Sequence, residues 1–265
     1  MHMFHDALVS FAERRVIYMK VQKLLSLIRQ SCERYEMIEE GDKIAVGVSG
    51  GKDSLTLLYG LKELSRFYPK HFTVTAICVD LGYANTDFTG IEAYCEKLGV
   101  ELTIIHTQIG KIVMEERKEH NPCSLCAKLR KGALVDEAVR QGCNVIAYAH
   151  HKDDFVETML MSMIYQGQFY AFPPVTWFED KGIRVIRPLM YVEEGQVRGF
   201  IRRQEIRILK SPCPVDGTTR RAYVKDLLMK LDRETPGAKE RMFHAIVTGN
   251  IYDWVDPKIT DTRKN

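Results

Sequence analysis

The stretch "KIAVGVSGGKDSLTLLYGL", residues 43–61, places two adjacent glycines between a β-branched apolar run and a run of leucines. The first run is typical of a buried strand, and Leu55, Leu58 and Leu61 recur at the spacing of one helix face. The stretch therefore predicts a strand, a glycine-rich loop and a helix, in that order.

The rest of the chain repeats this alternation of strand and helix. After a first strand at 44–48, strands are expected at 72–79, 100–106, 144–149 and in "GIRVIRPL", with helical patterns at 55–67, 89–98, 126–140 and 155–165. Because parallel strands need crossover connections, this order predicts an α/β fold with a doubly wound, mostly parallel sheet. Helical patterns at 11–37, 193–204 and 220–230 add N- and C-terminal helices.

Three segments follow from this pattern. An N-terminal helical extension is expected over 1–40, a sheet domain that also carries the clustered cysteines over 41–217, and a C-terminal helical segment with a polar tail over 218–265. The last ten residues, "DPKITDTRKN", are polar throughout.

Composition narrows the class of protein. The chain has 265 residues, of which 45% are hydrophobic and 28% charged, as in an ordinary folded protein with a substantial core. A formal net charge of +3 means that a nucleic-acid partner would have to be met by local basic patches. No uninterrupted apolar stretch approaches membrane-spanning length, so we expect a cytoplasmic protein that does not associate with a membrane.

The glycine-rich loop has the chemistry of a phosphate site. A loop that leads into a helix N-terminus presents backbone N–H groups and the positive end of the helix dipole. A plain tight turn is the alternative, but Lys52 and two flanking hydroxyls favour phosphate binding. The Walker A pattern fails because Asp53 stands where Ser or Thr is required, and the dinucleotide pattern lacks its third glycine.

The loop instead resembles the PP-loop of ATP pyrophosphatases, which cleave ATP between the α and β phosphates. This resemblance implies an adenine nucleotide alpha hydrolase-like fold and an ATP site. The residues that match the motif are Ser49, Gly50, Gly51, Lys52, Asp53 and Ser54.

Polar residues after two other predicted strands support a nucleotide site. In a doubly wound sheet, ligands bind beyond the carboxyl ends of the strands, where the strand order reverses. The fourth strand runs into "YAHHKDDFVETML", which makes His150 a candidate nucleotide contact and Asp153 and Asp154 candidate Mg²⁺ ligands or catalytic groups. Either acid could instead merely cap the next helix. Asp80, at the end of the second strand, is a candidate for the ribose or adenine.

Three of the seven cysteines have a pattern of their own. Cys123 and Cys126 are spaced C-x-x-C at the start of a helical pattern, near basic residues that favour thiolates, and Cys213 follows much later between two prolines. Three thiolates can hold a [4Fe-4S] cluster and leave one iron without a protein thiolate. Zinc would need a fourth ligand, for which His120 or Asp216 is available, and a dithiol pair is a third interpretation.

These motifs together resemble a known family. "MIEEGDKIAVGVSGGKDS", "NPCSLCAKLRKGAL", "AHHKDDFVETML", "IRPL" and "SPC", in that order, resemble the TtcA-type tRNA 2-thiocytidine biosynthesis proteins, a branch of the cluster-dependent tRNA thiolases. The likeness runs from about residue 20 to residue 228. Related thiolases that act on uridine carry zinc-binding C-x-x-C pairs near both ends, which this chain lacks.

The resemblance implies a homodimeric tRNA sulfurtransferase that uses ATP and Mg²⁺. Such an enzyme adenylates the C2 oxygen of a cytidine in the anticodon loop and replaces it with sulfur carried on a [4Fe-4S] cluster. By carry-over, residues 49–54 hold ATP and Cys123, Cys126 and Cys213 hold the cluster. Arg130, with Asp153 or Asp154, would stabilise charge or transfer protons, and a cysteine desulfurase or free sulfide would be the sulfur donor.

Two other functions remain open from the sequence. A PP-loop enzyme could move sulfur to another tRNA base or to a small molecule, and a non-enzymatic redox or sensor protein could carry the cluster. The sensor hypothesis does not explain why Lys52, Asp53 and the "HHKDD" loop accompany the cysteines.

Contacts with RNA are expected at two places. An aromatic segment with Phe169, Tyr170, Phe172 and Trp177 could stack on an unpaired base, or could simply cover the sheet. Phosphates could meet a stripe of basic residues, some of which are also expected on an ordinary solvated helix face: Arg198, Arg202, Arg203, Arg207, Lys210, Arg220, Arg221 and Lys225.

Overall fold

The computed structural model describes residues 21–84, 86–117, 122–209, 213 and 220–249. The chain divides into two compact units. The sheet unit comprises Met1–Lys152 and Pro173–Asp216, and the helical unit comprises Asp153–Phe172 and Gly217–Asn265. The three contiguous segments expected from the sequence stay predictions.

A six-stranded sheet forms the centre of the sheet unit, in the order β3-β2-β1-β4-β6-β5. Every neighbouring pair is parallel except β5 and β6, so the mostly parallel, doubly wound sheet is confirmed. The order reverses at β1, which has β2 on one side and β4 on the other. The strands are β1 (Asp42–Gly47), β2 (Phe72–Asp80), β3 (Leu102–His106), β4 (Val145–Ala147), β5 (Val175–Phe178) and β6 (Ile183–Ile186).

Helices connect these strands. The first described helix, α1, covers residues 21–34 of the predicted helix 11–37, and residues 11–20 lie outside the described residues. The helices that follow are α2 (Lys52–Leu64), α3 (Thr89–Leu98), the short α4 (Ile109–Lys111), α5 (Pro122–Arg140), α6 (Lys152–Gln166), α7 (Glu194–Arg203), α8 (Arg220–Glu234) and α9 (Ala238–Thr248). A π-helical turn, Ile112–Arg117, follows α4.

Several elements were not predicted from the sequence, among them the short α4 and the π-helical turn that follows it. The aromatic segment contains β5, which pairs antiparallel with β6 and places Trp177 opposite Arg184. Helix α9 had no predicted counterpart. Since β5 has only four residues, its local pattern was too short to separate it from a loop.

Helix α5 packs against one face of the sheet through Leu134, Val135 and Ala138. These side chains contact a buried cluster that includes Ile77 and Ile146. Residues of the other face, such as those of β4, are buried as well. The sheet is therefore covered on both sides, and its ligand-accessible edge is the one where the parallel strands end.

The helical unit is held together by rings and ion pairs. Phe155 of α6 makes edge contacts with Phe172, at 5.8 Å between ring centroids, and with Phe243 of α9, at 6.1 Å. Arg221 of α8 reaches Asp154 and Glu157 of α6 at 3.1 and 3.0 Å. None of the described helices is long and apolar enough to cross a membrane.

Candidate active site

The glycine-rich loop lies between β1 and α2, where the strand order reverses. The Ser54 hydroxyl accepts a hydrogen bond from the Ser49 backbone N–H at 3.2 Å and donates one to the Gly51 carbonyl at 3.0 Å. The first turn of α2 thus folds back onto the loop. Gly51 is the N-cap residue of α2 and has an extended backbone. It makes no side-chain capping hydrogen bond, so the backbone N–H groups of the first turn can bind an anion.

Gly50 has to be glycine for two reasons. Its φ of +75° lies in the left-handed region, and a Cβ at this position would lie 2.6 Å from the Leu209 Cβ. The Gly50 carbonyl also accepts a hydrogen bond from the Leu209 N–H at 2.9 Å. The chain after α7 therefore packs directly on the phosphate loop and leaves no room for a side chain.

Lys52 is held by two carboxylates. Its Nζ lies 2.8 Å from Asp53 Oδ2 and 3.3 Å from Oε1 of Glu194, the first residue of α7. Burial lowers the pKa of Lys52, but its interactions with Asp53 and Glu194 outweigh burial and raise the pKa above its ordinary value of 10.5. The ammonium group is therefore charged at neutral pH and is available to a phosphate chain.

Asp53 and His151 connect the loop after β1 with the loop after β4. His151 is buried and its Nε2 lies 3.6 Å from Asp53 Oδ1. Among the described residues, this Asp53 oxygen is buried and has no hydrogen-bond partner. A buried carboxylate oxygen beside a lysine-bearing phosphate loop is a suitable ligand for Mg²⁺ or for a nucleotide-bound water.

Asp80 is the last residue of β2, and both of its carboxylate oxygens have partners nearby. Its Oδ1 accepts a hydrogen bond from the Gly82 N–H at 2.9 Å, and its Oδ2 lies 2.9 Å from His106 Nδ1. These bonds shape the turn that follows β2, and Asp80, as the last residue of β2, lies at the edge where the parallel strands end. Its predicted contact with ribose or adenine is not tested by these bonds.

The other residues predicted from the "HHKDD" loop are divided between the two units. His150 lies in the sheet unit, where its ring packs against Tyr148 with 5.8 Å between centroids. Asp153 and Asp154 lie in the first turn of α6, in the helical unit. There Asp153 contacts Lys239 at 2.7 Å and Asp154 contacts Arg221, so both acids have ion-pair partners within their own unit.

The three clustered cysteines affect one another electrostatically. Burial raises the pKa of Cys126, the charge of Arg130 opposes this, and the charges of Cys213 and Cys123 raise it further. Tyr83, three residues beyond the end of β2, has its pKa raised first by burial and then by Cys213 and Cys126, and it hydrogen bonds with Cys213. The structure thus brings the late cysteine to the C-x-x-C pair.

Cys123, Cys126 and Cys213 are a donor set that can hold a [4Fe-4S] cluster and leave one iron without a protein ligand. Within the described ranges, no group of three His, Cys, Asp or Glu side chains is close enough to hold one metal ion. His120 and Asp216, the candidates for a fourth zinc ligand, lie outside the described residues.

The basic residues proposed for RNA contact have varied surroundings. Arg198 pairs with Glu194 and Arg207 with Asp87, each at 3.3 Å, while Arg221 is occupied within the helical unit. Arg220 stacks over Tyr165 at 4.9 Å. Arg202 and Arg203 lie in the last turn of α7, Lys225 is in α8, and Lys210 lies outside the described residues.

Three of the four singled-out aromatic rings are exposed. Phe169, Tyr170 and Trp177 have 72%, 49% and 58% of their surface accessible, which does not agree with a role in covering the sheet. Phe172 packs on Phe155 instead. The residues belong to different units, since Trp177 lies in the sheet unit and the other three in the helical unit.

Glu194 was missed by the sequence analysis. It is a buried carboxylate that pairs with Lys52 of the loop, although the two are far apart in sequence. The local signal was two consecutive acids before a helical pattern, which is also what ordinary helix capping produces. Only the tertiary structure shows that the second of them reaches the phosphate loop.

Comparisons with known proteins agree with this arrangement. A model of the PP-loop domain family matches residues 19–231. The chain is 36% identical over 230 residues to a tRNA-cytidine(32) 2-sulfurtransferase of Geobacter metallireducens, covering 86% of this chain and 90% of that protein. It is 38% identical over 247 residues to the Marinomonas sp. protein of the same name, covering 91% and 88%.

A solved structure is similar over most of the chain. The U34-tRNA thiolase NcsA from Methanococcus maripaludis, determined with its [4Fe-4S] cluster, superposes with a TM-score of 0.70 at 27% identity. The match covers 86% of this chain and 78% of that one.

Proposed function

The chain belongs to the PP-loop family and, within it, to the tRNA-cytidine(32) 2-sulfurtransferases, and on this basis we propose that it is an enzyme that replaces the C2 oxygen of a tRNA cytidine with sulfur at the expense of ATP. One observation carries the proposal. The phosphate loop follows β1, and Tyr83, which contacts the cysteine set, follows the neighbouring strand β2. The residues proposed for ATP and the tyrosine that contacts those proposed for sulfur transfer therefore follow neighbouring strands at the same edge of the sheet.

The first step is adenylation of the base. The cytidine O2 forms a bond to the α phosphorus of ATP, and the bond from that phosphorus to the bridging oxygen breaks, so pyrophosphate leaves with the electron pair. Lys52 and the N–H groups at the start of α2 bind the negative charge that gathers on pyrophosphate. Mg²⁺ would shield the same oxygens, with Asp53 as its candidate protein ligand.

The second step is displacement of AMP by sulfide. Sulfide forms a bond to C2, and the C2–O bond breaks, so AMP leaves with the former carbonyl oxygen and no net oxidation occurs. Cys123, Cys126 and Cys213 would hold a [4Fe-4S] cluster, which supplies an iron with an open position for sulfide. Burial raises the pKa of Cys126, and the charge of Arg130 opposes part of this rise.

Other parts of the proposal come from the position of residues in the sequence or from the family. Roles of Asp80 and His150 at the nucleotide and of Asp153 or Asp154 in charge stabilisation or proton transfer stay predictions. So do a homodimer and a cysteine desulfurase or free sulfide as sulfur donor. A tRNA substrate is consistent with a cytoplasmic enzyme.

A different target base is the second candidate. It is favoured by the similarity to NcsA, whose name gives U34 of a tRNA as its target. Analysis of the modified nucleosides distinguishes the two candidates.

The experiment uses a strain that lacks the gene. We expect its tRNA to lose 2-thiocytidine, and the wild-type gene to restore it. Asp53→Ala should not restore it, because the variant loses the carboxylate that orients Lys52 at 2.8 Å. Asp136→Ala, a matched control at an exposed acid that pairs with Lys181, should restore it fully.

Unchanged 2-thiocytidine in the deletion strain would refute the proposed function. Loss of a thiouridine in its place would establish the second candidate. Full restoration by Asp53→Ala would remove the phosphate loop from the mechanism.

A further inference from the structure

A group of cations lies on the α5 face of the sheet, and one of them shares α5 with Cys123 and Cys126. Tyr148 follows β4 and Arg187 follows β6, and the two strands are paired so that the Tyr148 N–H donates to the Ile186 carbonyl at 3.0 Å. Lys131 of α5 stacks over the Phe178 ring at 4.0 Å. Tyr148 and Phe178 both pack against the core cluster that α5 covers, so α5, β4, β5 and β6 all contribute to this group.

Arg187 is held in position by hydrogen bonds to uncharged oxygens. One of its terminal nitrogens donates to the Pro173 carbonyl at 2.6 Å and to the Thr176 hydroxyl at 3.2 Å. These two bonds orient the largely buried guanidinium. An arginine fixed in this way is preorganised for an anion.

Lys131 lies near Arg187. Burial, and next the charge of Arg187, lower the pKa of Lys131, which means that two cations lie within electrostatic range of each other. In the part of the chain that the structure describes, Lys131 has a ring and another cation as neighbours and makes no ion pair. Two neighbouring cations repel each other, and an anion bound to both would remove that cost.

Tyr148 supplies an unused donor at the same place. Its hydroxyl is buried and has no hydrogen-bond partner among the described residues. Burial raises its pKa to about 12, with the charges of Arg187 and Arg130 opposing, so the phenol keeps its proton at neutral pH. A buried donor that lacks a protein acceptor and lies near two cations is suited to an anionic oxygen.

We infer that Lys131 and Arg187, with the Tyr148 hydroxyl as a third donor, form a subsite for a backbone phosphate of the RNA strand that carries the target base. The inference rests on the proposed function. The phosphates of ATP already have the loop after β1 and Lys52. Lys131 lies on the same helix as Cys126, five residues or about 7.5 Å farther along its axis.

Binding measurements on the whole chain test this subsite. The probe is an RNA hairpin with the sequence of an anticodon stem-loop, titrated at several salt concentrations. Lys131→Gln should weaken binding about tenfold, as expected for loss of a charged hydrogen bond. The slope of log K against log salt should fall by about one, because one phosphate contact is lost. Tyr148→Phe should weaken binding less and leave the slope unchanged.

Two controls separate this result from a general effect. Lys97→Gln removes the same charge in the last turn of α3, at the opposite edge of the sheet, and should bind as the wild type does. Lys131→Arg should retain the affinity and the salt slope. ATP affinity should be the same in the wild type and in Lys131→Gln.

Unchanged RNA affinity and slope in Lys131→Gln would refute the subsite. Weaker binding of ATP or pyrophosphate with unchanged RNA binding would also refute it and assign the anion to the nucleotide. If the wild-type chain did not bind the hairpin, the proposed function itself would fail, whereas an unaffected variant rejects only the subsite.

Discussion

At the scale of the residue, the phosphate loop depends on Gly50. The left-handed φ and the 2.6 Å approach to Leu209 both exclude a side chain there. Gly51, by contrast, would place a Cβ no closer than 3.3 Å to the Ser49 hydroxyl. The two adjacent glycines are therefore not equivalent, and only the structure distinguishes them.

Gly50→Ala is predicted to lower the free energy of unfolding by roughly 1–3 kcal/mol and to abolish ATP-dependent pyrophosphate release, since backbone strain and overlap would displace the loop. Gly132→Ala is the matched control, because a Cβ added there, in the middle of α5, would meet nothing within 4 Å. It should stabilise the chain by about 0.5–1 kcal/mol. Denaturant unfolding and a pyrophosphate assay check both variants, and a Gly50→Ala enzyme with normal release would contradict the account.

Glu157 is expected to make the stability of the helical unit depend on pH. Burial, and then the charge of Asp154, raise its pKa above the ordinary value of 4.5, while Arg221 opposes. A carboxyl with a raised folded-state pKa holds its proton more tightly in the folded state, so its ionisation destabilises the fold at higher pH. The penalty is absent well below pH 4.5 and develops as the pH rises through the folded-state pKa.

Glu157→Gln is therefore predicted to be more favourable, relative to the wild type, at neutral pH than below pH 4.5. Unfolding midpoints measured across this range provide the test. A difference between Glu157→Gln and wild type that does not vary with pH would show that Glu157 ionises normally in the folded chain.

At the scale of the element, a buried ion pair joins β1 to β6, which are separated by β4. Arg184 of β6 pairs with Asp42 of β1 and with Glu39. Asn144 donates to the other Asp42 oxygen at 2.8 Å. Asp42 is 1% exposed, while the Glu39 side chain is 61% exposed, so one arginine has a buried and a solvent-exposed partner.

Asp42→Asn should cost about 3 kcal/mol of unfolding free energy, because it leaves Arg184 buried with only its exposed partner. Glu39→Gln should cost less than about 1 kcal/mol, since water screens that pair. Chemical denaturation of the two variants measures the difference. Equal costs would show that burial does not govern the strength of this interaction.

Much of the element order could be predicted from the sequence because it is local. The apolar runs and glycine punctuation of residues 43–61 predict β1, the loop and α2, and the alternation that follows predicts the parallel sheet. The strand β5 was not predicted, because a segment of four residues with two aromatic side chains is as compatible with a loop as with a strand. Its pairing with β6 is a long-range contact.

The candidate site was predictable only in its motif residues. The loop, the C-x-x-C pair and Asp80 are visible in the sequence because each follows or begins an element. Glu194, Lys131 and Arg187 were not, because their importance comes from tertiary neighbours. The ion pairs of Asp153 and Asp154 are likewise contacts between helices, which local spacing does not reveal.

At the scale of the whole molecule, the proposed activity requires the phosphate loop and the three cysteines to lie near each other. The strand order puts the phosphate loop where the sheet reverses, and the chain after α7 returns Cys213 to the C-x-x-C pair of α5. The same returning chain packs on Gly50 through Leu209, four residues before Cys213. Leu209 thus contacts the loop, and Cys213, four residues later, lies near the other two cysteines.

Thiolation by the purified chain tests this most directly. Wild-type protein prepared without oxygen, supplied with tRNA, ATP and sulfide, should form 2-thiocytidine. Cys213→Ala should still bind ATP through the intact loop but should form no 2-thiocytidine, because two thiolates cannot hold the cluster. Thiolation by Cys213→Ala at the wild-type rate, or unmodified cytidine in the wild-type reaction, would contradict the account.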